Sequence, residues 1–300
     1  MFIVNSTVRG VFLNIVASIF FAAMFGYTTL LSQLDGGEIF GWRILFTFPC
    51  LALFIYFRGY GYQIKTIYRR FSEERGLVVT RFLSASILSF QLWLFVWAPG
   101  NEYGLAVSLG YFILPLTMVL IGHVAFKDKM TALQKLACIF ALSGIVYQIV
   151  FSQNLAWPTL AVCLGYPGYF WLRRKTDTND LGGLWFDMLL GLPLAIYFII
   201  RGGEVVFQLD SSFVLLWLVI GLGILSALAL TFQSLSAPHL NLTLFGLLVY
   251  VEPVLLLLVS LLIGETIAPK EWPTYIAILL SVLALLVEGV RGLKWRNASV

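Results

Sequence analysis

Ten apolar runs of about 20 residues, each closed by a short polar break, follow one another along this chain. They cover 9–32, 38–57, 77–98, 104–124, 131–150, 156–172, 183–200, 213–233, 242–263 and 272–290. A hydrocarbon layer about 30 Å thick is crossed by about 20 helical residues. The predicted fold is therefore all-α and integral to a membrane, with ten transmembrane helices. The first run is too long for a cleavable signal, and no small-residue cleavage site follows it. Composition agrees: 60% of residues are hydrophobic, 11% are charged, and mean hydropathy is +0.92. Soluble domains carry roughly 45–50% apolar and about 25% charged residues. A cytosolic enzyme, a secreted disulfide scaffold and a nucleic-acid binder are excluded on that ground. Cys50, Cys138 and Cys163 all sit in apolar runs, with no CxxC or Cys/His cluster, so no metal or other cofactor is expected.

Short loops set the orientation. With both termini in the cytoplasm, sixteen of the 19 lysines and arginines fall on the inner side. Arg201 and Lys270 fall outside and Arg43 lies within a span. That asymmetry is the positive-inside pattern, so the net charge of +4 needs no nucleic-acid partner. In the longest loop, 58–76, the apolar residues Ile64, Ile67, Tyr68 and Phe71 recur at helical spacing opposite basic ones. A short helix resting on the anionic inner leaflet accounts for them.

The two halves echo each other. SLGYFILPLTMVLIG around Pro115 aligns with GLLVYVEPVLLLLVS around Pro253, pairing Phe112 with Tyr250. WRILFTFP, ending at Pro49, aligns with FDMLLGLP, ending at Pro193, and sets Arg43 opposite Asp187. Residues 1–150 and 151–300 then form two five-helix repeats. An odd count per half inserts the second copy upside down, an arrangement that places a transport site near mid-membrane between the halves. Pro115 and Pro253 each remove a backbone donor in the middle of a span, freeing the carbonyls of Tyr111 and Val249. Either a hinge or a kinked packing helix fits them.

Charges kept within spans cost roughly 2.5–3.5 kcal/mol each at mid-bilayer, so each needs a reason. Four are expected there: Arg43, Asp187, Glu252 and Glu288. Glu288 pairs with Arg291 at the interface. Arg43 and Asp187 begin their helices from opposite sides, too far apart in depth to pair, so each needs its own partner, a substrate or water. Glu252 stands at the bilayer centre beside Pro253, as a carboxylate holding a cationic group, as a proton carrier, or as a neutral acid bonded to a neighbouring helix. Arg43 is an anion site or a fixed structural charge. Trp42, Trp157, Trp185 and Trp272 read as interface anchors. Tyr111, Phe112, Tyr166, Tyr169 and Tyr250 lie deeper, where they either pack or stack on a substrate. Gln91, Trp93, Gln148 and Gln233 add polar handles, His123 reads as structural or as a proton relay, and Gly223 and Ala227 as helix-packing contacts.

These residues resemble a known group. Two inverted halves of five helices are similar to the drug/metabolite transporter superfamily and its EamA-type repeat. VWAPGNEYGLAVSLGYFILPL (96–116) resembles the signature of its RarD-like group. EIFGWRILF (38–46), WLRRK (171–175), GLWFDMLLGLP (183–193) and GLLVYVEP (246–253) fit at matching positions. The group pattern has His where Trp42 stands, Asn at Leu114, Glu at Asp187 and a lysine near Thr29, and it lacks an acid at Glu252. Chloramphenicol is therefore not carried over as substrate. The resemblance implies a central cavity lined by the first, third, fourth, sixth, eighth and ninth spans. It also implies export of amino acids, drugs or secreted metabolites, opine-type metallophores included.

The expected function is inner-membrane export of a small molecule by alternating access, in contact with the lipid bilayer and with a homodimer left open. The expected substrate-binding residues are Arg43, Gln91, Trp93, Tyr111, Phe112, Tyr169, Tyr250 and Glu252, with hinges at Pro115 and Pro253. No GxxxxGK[ST] loop is present, so the drive is a proton gradient, with Glu252 as the coupling candidate, or substrate exchange. An intramembrane enzyme lacks support, since there is no HExxH and no acid pair on one helix face. Import, or flipping of a lipid or lipid-linked sugar, are the alternatives within the same fold.

Overall fold

A computed structural model describes residues 2–31, 33–98, 103–152, 157–202 and 213–252, with 254, 255, 258 and parts of 272–287. Pro253, Lys270, Glu288, Arg291 and the side chain of Gln148 lie outside the described residues. Helices follow the apolar runs: α1 Phe2–Thr28, α2 Gly36–Phe57, α3 Gly61–Glu73, α4 Arg75–Trp97, α5 Gly104–Phe126 and α6 Ala132–Ser152. After them come α7 Trp157–Lys175, α8 Leu181–Arg201, α9 Phe213–Ser236 and the short α10 Leu242–Leu248. Among the described residues, five stretches are long and apolar enough to cross a bilayer: Ser6–Thr28, Gly36–Phe57, Arg75–Trp97, Leu181–Arg201 and Phe213–His239. Shorter apolar helices cover Gly110–Phe126, Ala132–Tyr147 and Trp272–Ala284. The chain is an all-α multi-pass membrane protein.

Helix starts are set by side chains that satisfy the first free N–H groups. Asp35 and Glu38 form a reciprocal capping box on α2, at 2.8 and 3.0 Å. Asp180 caps α8 through Gly183 N–H (2.9 Å), and Asn241 caps α10 through Leu244 N–H (2.7 Å). Lys127 ends α5 in the left-handed region, φ 55°. Next to it Asp128 accepts both Nη groups of Arg174 (3.0 and 3.1 Å) and the N–H of Thr243 (3.2 Å). One carboxylate thus ties together the ends of α5 and α7 and the start of α10.

Packing is dominated by α1 on α9, α5 on α7, α2 on α8 and α9, α5 on α10, and α4 on α7 and α8. Small residues allow the close approaches. A Cβ on Gly223 of α9 would come within 2.2 Å of Phe46 Cβ on α2, and Ala227 one turn later is also buried. The Gly223/Ala227 pair is therefore a helix contact, as the four-residue spacing suggests. It also lets Thr47 reach the Gly223 carbonyl (3.3 Å) and Arg43 reach Ser226 (2.9 Å). Gly223→Val should push α2 from α9 and lower stability by about 1–3 kcal/mol, the usual cost of overpacking. The check is the apparent Tm of the detergent-purified protein, which Gly221→Ala, facing only the tip of Tyr27, should move less.

The loop helix α3 is present, but its apolar residues do not share one lipid-facing side. Ile67 is buried, and Phe71 sits edge-on to Phe186 of α8 at 5.1 Å, while Tyr62 and Tyr68 stay exposed. Gln63 accepts the Gly182 N–H (3.1 Å), and Arg70 bonds the Thr176 carbonyl (3.1 Å) and Glu74 (2.9 Å). Burying Ile67 and half-burying Phe71 against protein docks α3 on α8 and on the turn after α7.

Candidate functional site

The helices enclose a cavity of about 40 Å³, room for a few waters only. Phe21 and Met24 come from α1, Leu88, Leu92 and Phe95 from α4, Tyr111 and Leu114 from α5, and Tyr166, Tyr169, Phe170 and Arg173 from α7. Leu230, Gln233 and Ser234 come from α9, and Val249 and Glu252 from the segment after α10. Arg43 of α2 and Leu184 of α8 complete the wall. All six spans that the resemblance implies contribute, together with two more.

Arg43 lies eight residues beyond the Asp35 cap, about 12 Å down the helix at 1.5 Å per residue. It is buried, and its Nε donates to Ser226 Oγ at 2.9 Å. Tyr111, Tyr166 and Glu252 are near enough to interact with it electrostatically. Among the described residues, however, no ion pair within 4 Å joins Arg43 to Glu252, and the Glu252 carboxylate has no hydrogen-bond partner. A cation and a carboxylate thus face one cavity with space between them. The Tyr111 hydroxyl donates to that of Tyr166 at 3.4 Å beside them, and Phe95 sits edge-on to Tyr111.

Backbone geometry explains how Glu252 reaches the cavity. The α-helix gives way at Val249 and Tyr250 and resumes at Val251, with three-residue bonds across the break: Val249 N–H to Gly246, Tyr250 N–H to Leu247 and Glu252 N–H to Val249, at 3.1, 3.2 and 3.1 Å. Proline at 253 has no N–H to offer the Val249 carbonyl, and Glu252 N–H takes that acceptor instead. Pro115, by contrast, is buried inside α5, which runs through it without a break. Two residues on, Thr117 donates to the carbonyls of Leu114 (2.8 Å) and Cys163 of α7 (2.6 Å).

The expected binding residues divide. Arg43, Tyr111, Tyr169 and Glu252 line the cavity, whereas Gln91, Trp93, Phe112 and Tyr250 do not. Tyr250 is fully buried and donates its hydroxyl to the Phe112 carbonyl at 3.0 Å, so the two aligned aromatics of the halves bond each other across α5 and α10. Gln91 donates to the Ala161 carbonyl at 2.7 Å and seats against Gly165, clasping α4 to α7. Trp93 stacks on Trp97 (4.9 Å) in an aromatic cluster with Tyr103, Trp157 and Phe198, on the side of α4 that faces away from the cavity.

Asp187 has its partners within the protein, at the basic end of the cavity. It accepts from Arg81 Nη1 (3.3 Å) and from the Tyr169 hydroxyl (3.0 Å), with Arg173 Nε at 3.9 Å. Arg173 also donates to Tyr169 Oη (2.6 Å) and to the carbonyls of Thr178 (3.1 Å) and Asp180. Sequence reasoning places Arg81 and Arg173 among the solvated inner charges, yet both are buried. Two signals were available: Arg81 falls inside the apolar run 77–98, and Tyr169 and Arg173 share one helix face at i, i+4. Among the described residues no group of His, Cys, Asp and Glu could hold a metal ion.

No protein-family model matches the chain. It is 37% identical over 288 residues to the chloramphenicol-sensitive protein RarD of Pseudomonas aeruginosa, covering 95% of this chain and 96% of that one. An uncharacterized transporter of Haemophilus influenzae is 35% identical over 283 residues, 94% of each chain, and one of Pasteurella multocida is 35% identical over 289 residues, 96% and 99%. A solved crystal structure 14% identical shares the fold, with a TM-score of 0.61 over 95% of this chain and 98% of its own. With relatives of this kind along nearly its whole length, the chain belongs to the RarD-like group of the drug/metabolite transporter superfamily, membrane transporters and not enzymes.

Proposed function

We propose that this protein is a secondary transporter of the bacterial inner membrane that exports a small metabolite carrying both an amine and a carboxylate, by alternating access. The observation that carries the reading is the unpaired juxtaposition of Arg43 and Glu252 across one buried cavity. Held apart, each is free to take a complementary group of a zwitterionic substrate, such as an amino-acid-like compound or an opine-type metallophore. A cavity of about 40 Å³ admits no such molecule, so the walls must part to load it. Lining drawn from one chain leaves no need for a second copy at the site.

Ten spans in two inverted repeats, 1–150 and 151–300, with both termini inside, are the architecture we infer. The helix pairings support it. Exchanging the halves turns α1–α9 into α7–α4, α2–α9 into α8–α4 and α5–α7 into α10–α1, and all six pairs are in contact. The α2–α8 and α5–α10 pairs map onto themselves. The groove between α4 and α8, lined by Phe82, Ser86, Ser89, Phe90, Trp93, Leu190 and Leu194, offers little polar surface for a lipid headgroup, which favours a water-soluble substrate over a flipped lipid.

Untargeted mass spectrometry on deletion and complemented cells, in rich and in metal-poor medium, tests the reading. A zwitterionic compound should accumulate inside the deletion strain and vanish from its medium. An external nutrient left unused, with nothing building up inside, would establish import instead.

A further inference from the structure

The buried cluster at the basic end of the cavity holds two guanidiniums and one carboxylate. Arg81, Arg173 and Asp187 are 1%, 1% and 0% exposed. Arg173 is well served, since each of its nitrogens has an acceptor or an ion-pair partner. Arg81 is not: Nη1 alone is bonded, to Asp187 (3.3 Å) and the Gly183 carbonyl (3.4 Å), while Nε and Nη2 are buried without a partner. Asp180, the other acid near both arginines, is only half-buried and spends its carboxylate on capping α8. An unsatisfied guanidinium fork in a low-dielectric setting is a strong receptor for a carboxylate, which it can hold through two bonds at once. The same cluster joins α4, α7 and α8; Arg173 and Tyr169 form part of the cavity wall, while Arg81 and Asp187 do not line it but bond to that wall from behind, Asp187 through Tyr169 and Arg81 through Asp187.

We propose that Arg81 and Arg173 form an anion-accepting subsite at the inner end of the cavity, occupied by Asp187 while that end is closed, and that a carboxylate of the substrate takes the place of Asp187 when it opens. Resting on the transport reading above, this narrows the substrate class. Beyond the amine and carboxylate matched by Glu252 and Arg43, the molecule carries a further acidic group. Closure and substrate release are then one exchange, in which Asp187 returns to the arginines as the anion leaves.

The test uses the full chain in inverted membrane vesicles, whose cytoplasmic face is outward. Cys50, Cys138 and Cys163 are changed to alanine, and Leu184→Cys on the cavity wall serves as reporter for a membrane-impermeant maleimide. Adding Asp187→Ala should raise the labelling rate about tenfold. Sodium acetate, a free carboxylate standing where the substrate's would, should leave that rate high but raise the variant's apparent Tm in detergent by several degrees, whereas sodium chloride at equal ionic strength should not. Arg81→Met, added to that variant, should abolish the response to acetate. A rate that does not rise overturns the gate; an apparent Tm that acetate does not raise overturns the carboxylate subsite. Should Asp187→Ala not fold, Tyr169→Phe keeps every charge while loosening the cluster. There acetate competes with the resident Asp187 and should raise labelling about threefold, and no response would overturn the exchange. Either failure leaves the export reading standing, because that reading is decided by the metabolite comparison.

Discussion

Replacing Asp187 by asparagine should cost about 3–5 kcal/mol of stability, the usual penalty for leaving a buried charge without its partner. The substitution is nearly isosteric, so lost packing contributes little. What it removes is the counter-charge of two buried guanidiniums, one of which already lacks partners for Nε and Nη2. The Tyr169 hydroxyl keeps an acceptor in the asparagine carbonyl, and Arg173 keeps the carbonyls of Thr178 and Asp180. The damage should therefore fall on Arg81. The comparison that isolates it is Arg81→Met combined with Asp187→Asn, which removes the orphaned cation as well. If charge imbalance dominates, the double variant recovers at least half of the lost stability. Apparent Tm in detergent, measured beside monodispersity, decides the matter. A double variant no more stable than Asp187→Asn alone would show that the aspartate acts through shape or hydrogen bonding.

The contrast between Arg43 and Arg81 shows which features a sequence displays. Arg43 stands out because it interrupts an apolar run well inside a span, and a charge there is conspicuous by its cost. Arg81 lies near a span end among inner arginines, where the positive-inside pattern explains it without further cause. Only the arrival of Asp187, 106 positions along the chain, makes it a core residue. Glu252 beside Pro253 is legible for a local reason, since a residue that cannot donate an N–H disturbs the turn before it. The helix does give way at Val249 and Tyr250, just before Val251 and Glu252 resume it. Tyr250 and Phe112 were visible as an aligned pair but not as contacts of each other. Which face of a helix meets the cavity depends on rotations of a few tens of degrees, and a uniformly apolar helix gives little periodicity to fix them. Gln91 illustrates the same point: a polar residue in a span meets either a substrate or a neighbouring backbone, and here the Ala161 carbonyl takes its Nε2 while Oε1 stays buried without a partner.

Glu252→Gln should reduce transport about 100-fold, equivalent to about 2.7 kcal/mol. The carboxylate faces the cavity without a hydrogen bond or an ion pair among the described residues, so the amide costs the fold no internal bond. Any large effect then arises from the substrate or from the proton. Binding and transport measured together separate the two. If Glu252 carries the proton, the glutamine variant still binds substrate, and flux along a proton gradient is lost. If Glu252 holds the amine, affinity falls by a similar factor and the pH dependence of what remains is unchanged. Glu252→Asp draws the carboxylate back by one methylene, about 1.5 Å, and should keep pH dependence at reduced rate under the proton reading. A glutamine variant that binds and transports normally over the whole pH range would remove Glu252 from the mechanism and leave the arginines of the cavity wall, Arg43 and Arg173, to anchor the substrate.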